Sequence, residues 1–253
     1  MNNKTDYNQL AGDFTDYKAN KNSIEWVQGY NRLTGLLGFS LKPGDTVLDF
    51  GCGTGNYART LKETYPGLVV IGVDSAQSMV DEARRLDPSG DYVLYNGGIQ
   101  DEDNLKSYSG NLEELVNGRV INAAVANFVF CTMLNPYEIL GICKEIHKVL
   151  KTGCPFYIME TNWPVANGKD YGQFRCLHYP ELKQFQEVET ILRKPDGSEV
   201  LVTDLYLGDT FYGHVLGDIG VSCTYENEPE NGVFRSRHYW DSPIMLRKIV
   251  WKE

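Results

Sequence analysis

The chain has 253 residues, 42% of them hydrophobic, with 24 Lys and Arg against 34 Asp and Glu, so its net charge is −10. That length and apolar content suit one large α/β domain, or one domain with a small insert, around a sizeable core. The acidic balance argues against a nucleic-acid partner, the polar opening Met1 to Tyr7 has no signal-peptide core, and no apolar run reaches the ~18 residues of a membrane span.

The six cysteines are Cys52, Cys131, Cys143, Cys154, Cys176 and Cys223. None forms a Cys-x-x-Cys pair, so spacing supports no metal site. They read as reduced thiols of a cytoplasmic protein.

Tyr7, Leu10, Ala11, Phe14 and Tyr17 recur on one face of a helix. A second helix is expected from Ser23, a good N-cap, to about Leu37. Residues 46–58 then read Thr-Val-Leu-Asp-Phe-Gly-Cys-Gly-Thr-Gly-Asn-Tyr-Ala. Thr46 to Phe50 is short, apolar and β-branched, as a buried parallel strand is. Gly51, Gly53 and Gly55 admit positive φ and the close approach of a ligand. Thr54 to about Glu63 suits a helix with Thr54 as a possible cap, its N–H groups facing that ligand. A dinucleotide turn wants G-x-G-x-x-G, but position 56 is Asn. Asp49, two residues before the first glycine, would repel a pyrophosphate and welcome a cationic amino acid.

The pattern Asp49-x-Gly51-x-Gly53-x-Gly55 resembles the first motif of class I S-adenosylmethionine-dependent methyltransferases of the small-molecule type. The resemblance implies a Rossmann-like, doubly wound and mostly parallel seven-stranded sheet. It also implies a site in which Asp49 holds the methionyl end while Gly51, Cys52, Gly53 and Gly55 pass under the cofactor. Tyr-x-x-x-Ala-x-x-Phe-x-x-Tyr over 7–17 is similar to the family's N-terminal cap. Tyr17 becomes the candidate active-site aromatic, with packing onto the sheet as the alternative.

Leu68 to Val73 is the next expected strand and ends in Asp74, 19 residues past Gly55. A carboxylate at that place suits both ribose hydroxyls. The alternative is a helix cap, a role Ser75 can also fill. Ala76, Met79, Val80, Ala83 and Leu86 make a helical stripe, and the resemblance puts Met79 against the adenine. Asp91 to Tyr95 is a third strand. Many relatives carry an Asp where this chain has Gly98, so adenine contacts fall to Ile99 and Gln100. A helix is expected over Asn104–Val116 and a fourth strand over Arg119–Phe130. In the family, the place of Asn127 and Phe128 lies beside the sulfonium and the acceptor. Pro136 to Leu150 is a patterned helix, and Cys154 to Met159 a fifth strand ending in Glu160.

This strict alternation is the signature of a doubly wound sheet, with ligands outside the carboxyl ends of its strands. The division expected is a helical cap over 1–40, a cofactor-binding core over 41–160, a lid and acceptor insert over 161–208, and a last helix and strands over 209–253. Thr161 to Pro180 reads as loop. Phe185–Arg193 and Glu199–Leu207 flank Pro195-Asp196-Gly197-Ser198 as a β-hairpin. A helix from Asp209 to Ile219, a strand over Val221–Tyr225 and an antiparallel strand over Ile244–Trp251 close the chain.

The reaction implied is methyl transfer from S-adenosyl-L-methionine to the N or O atom of a small molecule, by in-line displacement, releasing S-adenosyl-L-homocysteine. His178, in the lid entry, is the candidate general base. Trp163, Tyr171, Tyr206 and His214 are candidates for the acceptor pocket, with core packing as the alternative for each. Two other classes stand beside this one: a non-catalytic cofactor-binding or partner-regulating protein, and a nucleic-acid methyltransferase. The latter has only the partial likeness Asn135-Pro136-Tyr137 in an acidic chain. Monomer and homodimer are both open.

Overall fold

A computed structural model describes residues 5–16, 23, 29–101, 107–133, 135–194, 196–208, 211–212, 221–225 and 242–251. Thr46–Phe50 is buried along its whole length and forms β1. It lies inside a seven-stranded sheet with β2 (Val69–Asp74), β3 (Asp91–Leu94), β6 (Ile121–Asn127), β7 (Phe156–Thr161), β11 (Val221–Tyr225) and β12 (Ile244–Trp251), in the order β11-β12-β7-β6-β1-β2-β3. β1 pairs in parallel with both β2 and β6, while β12 runs antiparallel to its neighbours β7 and β11. The chain leaves β1 toward β2 and β3, then returns to the other side of β1 as β6 and β7. That reversal opens a crevice at the carboxyl ends of β1 and β6.

Helices cover the two faces. α3 (Asn56–Thr64) and α4 (Gln77–Leu86) bury Tyr57, Ala58, Leu61, Val80 and Ala83 in one apolar cluster. α6 (Pro136–Val149) buries Ile139, Ile142, Cys143 and Ile146 in the other, and Pro136 at its first turn gives up no hydrogen bond. α1 (Tyr7–Asp16) lays Tyr7, Leu10, Ala11 and Phe14 on Ala76 and Met79 of α4, and Thr15 donates to Glu82 at 2.9 Å. α2 (Asn31–Gly38) buries Leu33 and Leu37; the start expected at Ser23 falls largely outside the described residues.

Two expectations are corrected. The helix over Asn104–Val116 shrinks to α5 (Leu112–Val116), because Tyr108–Gly110 (β5) pairs with Gly97–Ile99 (β4) instead. Residues 102–106 lie outside the described residues. The Thr161–Pro180 stretch is not all loop: it contains α7 (Trp163–Ala166) and β8 (Phe174–Cys176). The hairpin is as expected, β9 (Gln186–Arg193) with β10 (Glu199–Tyr206), and β8 extends it to a three-stranded antiparallel sheet. The helix expected over Asp209–Ile219 lies outside the described residues except at Phe211 and Tyr212. Among the described residues no helix is long and apolar enough to cross a membrane, and no cluster of three His, Cys, Asp or Glu is placed to hold a metal.

Candidate active site

A cavity of about 760 Å³ opens at the carboxyl ends of β1, β2 and β6. Its floor is the turn after Phe50, where the chain must double back over the sheet end. Gly51, Gly53 and Gly55 take φ values of 69°, 53° and 75°, a region that costs a residue with a Cβ roughly 1–2 kcal/mol. Gly51 and Cys52 both donate their N–H to the Val73 carbonyl, at 2.7 and 3.0 Å. A Cβ on Gly51 would strike Val129, whereas one on Gly53 would stand in open space. Gly55, not Thr54, is the N-cap of α3, and no side chain caps it. The left-handed turn at Gly55 starts the helix one residue later than a Thr54 cap would.

Asp49 is 1% exposed. Its Oδ2 has no hydrogen-bond partner. Burial, and then the charge of Asp74, push its carboxyl up to about 7, against a hydrogen bond from the Ala58 backbone. On the adjoining strand Asn127 lines the same cavity, and both its amide atoms lack a partner. Leaving such atoms unpaired costs about 1–3 kcal/mol each, so a protein that keeps them there holds them for a ligand. Phe128 follows at φ 55°, a rare conformation for a bulky residue and one that clusters at functional sites.

Asp74 ends β2. One carboxylate oxygen accepts the Gly53 N–H at 2.8 Å, the other the Ala76 N–H at 2.9 Å. Ala76 is the N-cap of α4, and neither Asp74 nor Ser75 caps the helix with its side chain; Asp74 holds the N–H of the cap residue instead. Burial raises its pKa, and those donors pull it back. Each oxygen keeps a second lone pair. Ser75, Met79 and Cys52 line the cavity as well.

The residues present fit S-adenosylmethionine: open space over Gly53, a carboxyl oxygen without a partner on Asp49, and a carboxylate with spare acceptor capacity at the tip of β2. Other sequence candidates are not brought there. Ile99 and Gln100 do not line the cavity, and exposed Gln100 turns its amide to the Gly98 carbonyl at 2.9 Å. Tyr95, Gly97 and Tyr108 stand at that end instead. His178 is exposed beside Gly168. Trp163 is 2% exposed in the core, Tyr171 stacks on Phe174 with centroids 4.8 Å apart, and Tyr206 packs on the same apolar cluster. None of these four lines the cavity. Tyr17 and His214 lie outside the described residues.

Sequence reasoning missed Thr132, Thr190 and Asp204, all on the cavity wall. The available signal was strand alternation, since Asp204 falls in phase with inward-facing Val200 and Val202.

Residues 47–153 match the family described as "Methyltransferase domain". The chain is 27% identical over 219 residues to N-demethylindolmycin N-methyltransferase of Streptomyces griseus, a match spanning 85% of this chain and 87% of that protein. The fold is similar to that of the CcbJ methyltransferase from Streptomyces caelestis, with a TM-score of 0.62 at 17% identity over 99% of each chain. It is also similar to the sugar N-methyltransferase KedS8 from a Streptoalloteichus species, with a TM-score of 0.57 at 15% identity over 96% of this chain and 93% of that one. Strand order, the turn from Asp49 to Gly55 and these likenesses agree: residues 47–153 form a methyltransferase domain similar to those of the class I, S-adenosylmethionine-dependent type.

Proposed function

We propose that the chain transfers the methyl group of S-adenosylmethionine to a nitrogen or oxygen atom of a small molecule. The observation that carries this reading is the set of buried polar atoms without a partner, Asp49 Oδ2 and both amide atoms of Asn127, at the reversal point of the sheet. The sulfonium supplies an activated methyl group for in-line displacement. The protein's part is to bind, orient and exclude water. Asp49 holds the methionyl ammonium, Gly51, Cys52, Gly53 and Gly55 let the backbone run close beneath, and Asp74 accepts from the ribose hydroxyls. Met79 and Tyr95 flank the adenine end, and Asn127 and Phe128 face the reacting end. Five described cysteines are free thiols, which supports a cytoplasmic protein. The acidic composition supports a small-molecule acceptor over nucleic acid.

Calorimetric titration with S-adenosylhomocysteine and, separately, with NAD tests the cofactor. Micromolar binding of the first alone is expected, and binding of NAD alone would overturn the reading. Labelled methyl transfer to a panel of amines and alcohols then tests turnover. Binding without transfer to any of them would favour a non-catalytic protein.

A further inference from the structure

The three-stranded antiparallel sheet turns one face to the cavity. Antiparallel pairing sets Val202 opposite Thr190 and Asp204 opposite Val188, and β8 sets Phe174 opposite Leu192. Side chains alternate along a strand, so these residues share a face. Phe174, Thr190, Leu192, Val202 and Asp204 line the cavity from it. Three are apolar. The other two bring a hydroxyl whose Oγ1 has no hydrogen-bond partner, on Thr190, and a carboxyl, on Asp204.

Asp204 is 7% exposed. β10 packs on the 3-10 turn Phe130–Thr132 that leaves β6, which brings Asp204 to the cavity end where Asn127 and Phe128 emerge. The groups that bear on it are few. The Cys131 thiol hydrogen-bonds to it, the phenol of Tyr7 lies within its field, and so does Glu160, itself paired with Arg247. A thiol is a weak donor, and no cation neutralises the carboxyl among those groups. Burial, and the like charge of Glu160, push Asp204 up to about 7, against the Cys131 hydrogen bond. In a wall whose other side chains are uncharged, Phe174, Thr190, Leu192 and Val202, such a group costs free energy when ionised.

We propose that Asp204 is a catalytic residue that binds and deprotonates the acceptor, and that the acceptor is an apolar amine whose body lies against Phe174, Leu192 and Val202. This deepens the methyltransferase reading and rests on it. The acceptor enters as an ammonium ion, paired with the Asp204 carboxylate. The carboxylate takes one N–H proton and becomes a carboxylic acid, freeing the nitrogen lone pair. The nitrogen then attacks the sulfonium methyl: the C–N bond forms as the C–S bond breaks, with its electron pair staying on sulfur. The product leaves as a methylammonium ion, and Asp204 returns its proton to water. Thr190 Oγ1 accepts a second N–H and fixes the direction of the lone pair.

The probes are 2-phenylethylamine and 2-phenylethanol, titrated into protein saturated with S-adenosylhomocysteine at pH 8. The amine should bind at least tenfold tighter than the alcohol. Asp204→Asn should weaken the amine by about 10- to 100-fold and leave S-adenosylhomocysteine affinity unchanged, which also shows that the variant is folded. No amine binding, equal amine and alcohol affinity, or equal amine affinity in the variant would overturn the proposal. Should the variant fail to fold, the wild type decides: its amine affinity should rise about tenfold per pH unit below about pH 7 and level off above it, and a flat profile would overturn the assignment. Amine binding that depends on Asp204 in a protein blind to S-adenosylhomocysteine would sink the cofactor reading alone.

Discussion

The carboxylate of Asp74 accepts the backbone N–H of Gly53 at 2.8 Å, tying the tip of β2 to a turn made 21 residues earlier. The same side chain holds the Ala76 N–H at the start of α4. One residue therefore sets the cofactor floor, the adjoining helix and the proposed ribose contact. Asp74→Ala should weaken S-adenosylhomocysteine binding by about 1.5–3 kcal/mol, the worth of charge-linked hydrogen bonds. Calorimetry checks it, and unchanged affinity would remove the ribose role. Asp74→Asn keeps one acceptor oxygen and should fall between the two.

Gly51 and Val129 pack against each other on the cavity wall. Gly51→Ala puts a Cβ into the Val129 side chain and also strains a backbone at φ 69°. The backbone term alone is about 1–2 kcal/mol, so chemical denaturation should show a loss above that range. Adding Val129→Ala should recover the packing share and leave the backbone share. A double variant no more stable than Gly51→Ala would mean that the clash is relieved some other way.

Asp49 and Asp204 are both buried acids whose pKa rises from 3.8 to about 7 on folding. Between those values the folded chain holds more protons than the unfolded one. Stability should then fall as pH rises from about 4 to about 7, and level above it. Thermal melts of the ligand-free protein should run higher at pH 5 than at pH 8, and Asp49→Asn should remove part of the difference. A melting temperature that rises over that interval would contradict the raised pKa values. Cofactor binding has the opposite sign, since a cation beside Asp49 favours the carboxylate. Titration with S-adenosylhomocysteine at pH 6 should release protons to the buffer.

His178 is exposed and off the cavity wall. His178→Ala should leave methyl transfer within about twofold of wild type, whereas loss of a general base costs about 10²-fold or more. A loss of that size, seen in single-turnover rates, would return His178 to the chemistry.

The parallel core was readable because its signals are local. β1, β2 and β6 are short apolar runs, and the three alternate glycines mark a turn where the backbone takes positive φ at 51, 53 and 55. Asp49, Asp74 and Asn127 could be named in advance because each sits at the end of such a run. The acceptor wall was harder to read. Asp204 meets Cys131, Tyr7 and the cavity only through the packing of β10 on the turn after β6, a relation across more than 70 positions that no local pattern encodes. The aromatic count misled for the same reason. Trp163, Tyr171 and Tyr206 satisfy the core, and composition cannot say which ring faces inward. At the adenine end, the β4–β5 pairing overrode the helical propensity of Asn104–Val116.

The antiparallel strand β12 lies between β7 and β11, and its Arg247 pairs with Glu160 of β7. During synthesis, β12 is made after both of the strands it pairs with. Until then β7 has an open hydrogen-bonding edge, and Glu160, 5% exposed in the finished fold, has no counter-charge from Arg247. An open apolar edge is a template for pairing with another nascent chain. The glycine turn, by contrast, closes its own hydrogen bonds within residues 46–76, so it can take shape before β12 is made, whereas the Glu160–Arg247 pair cannot.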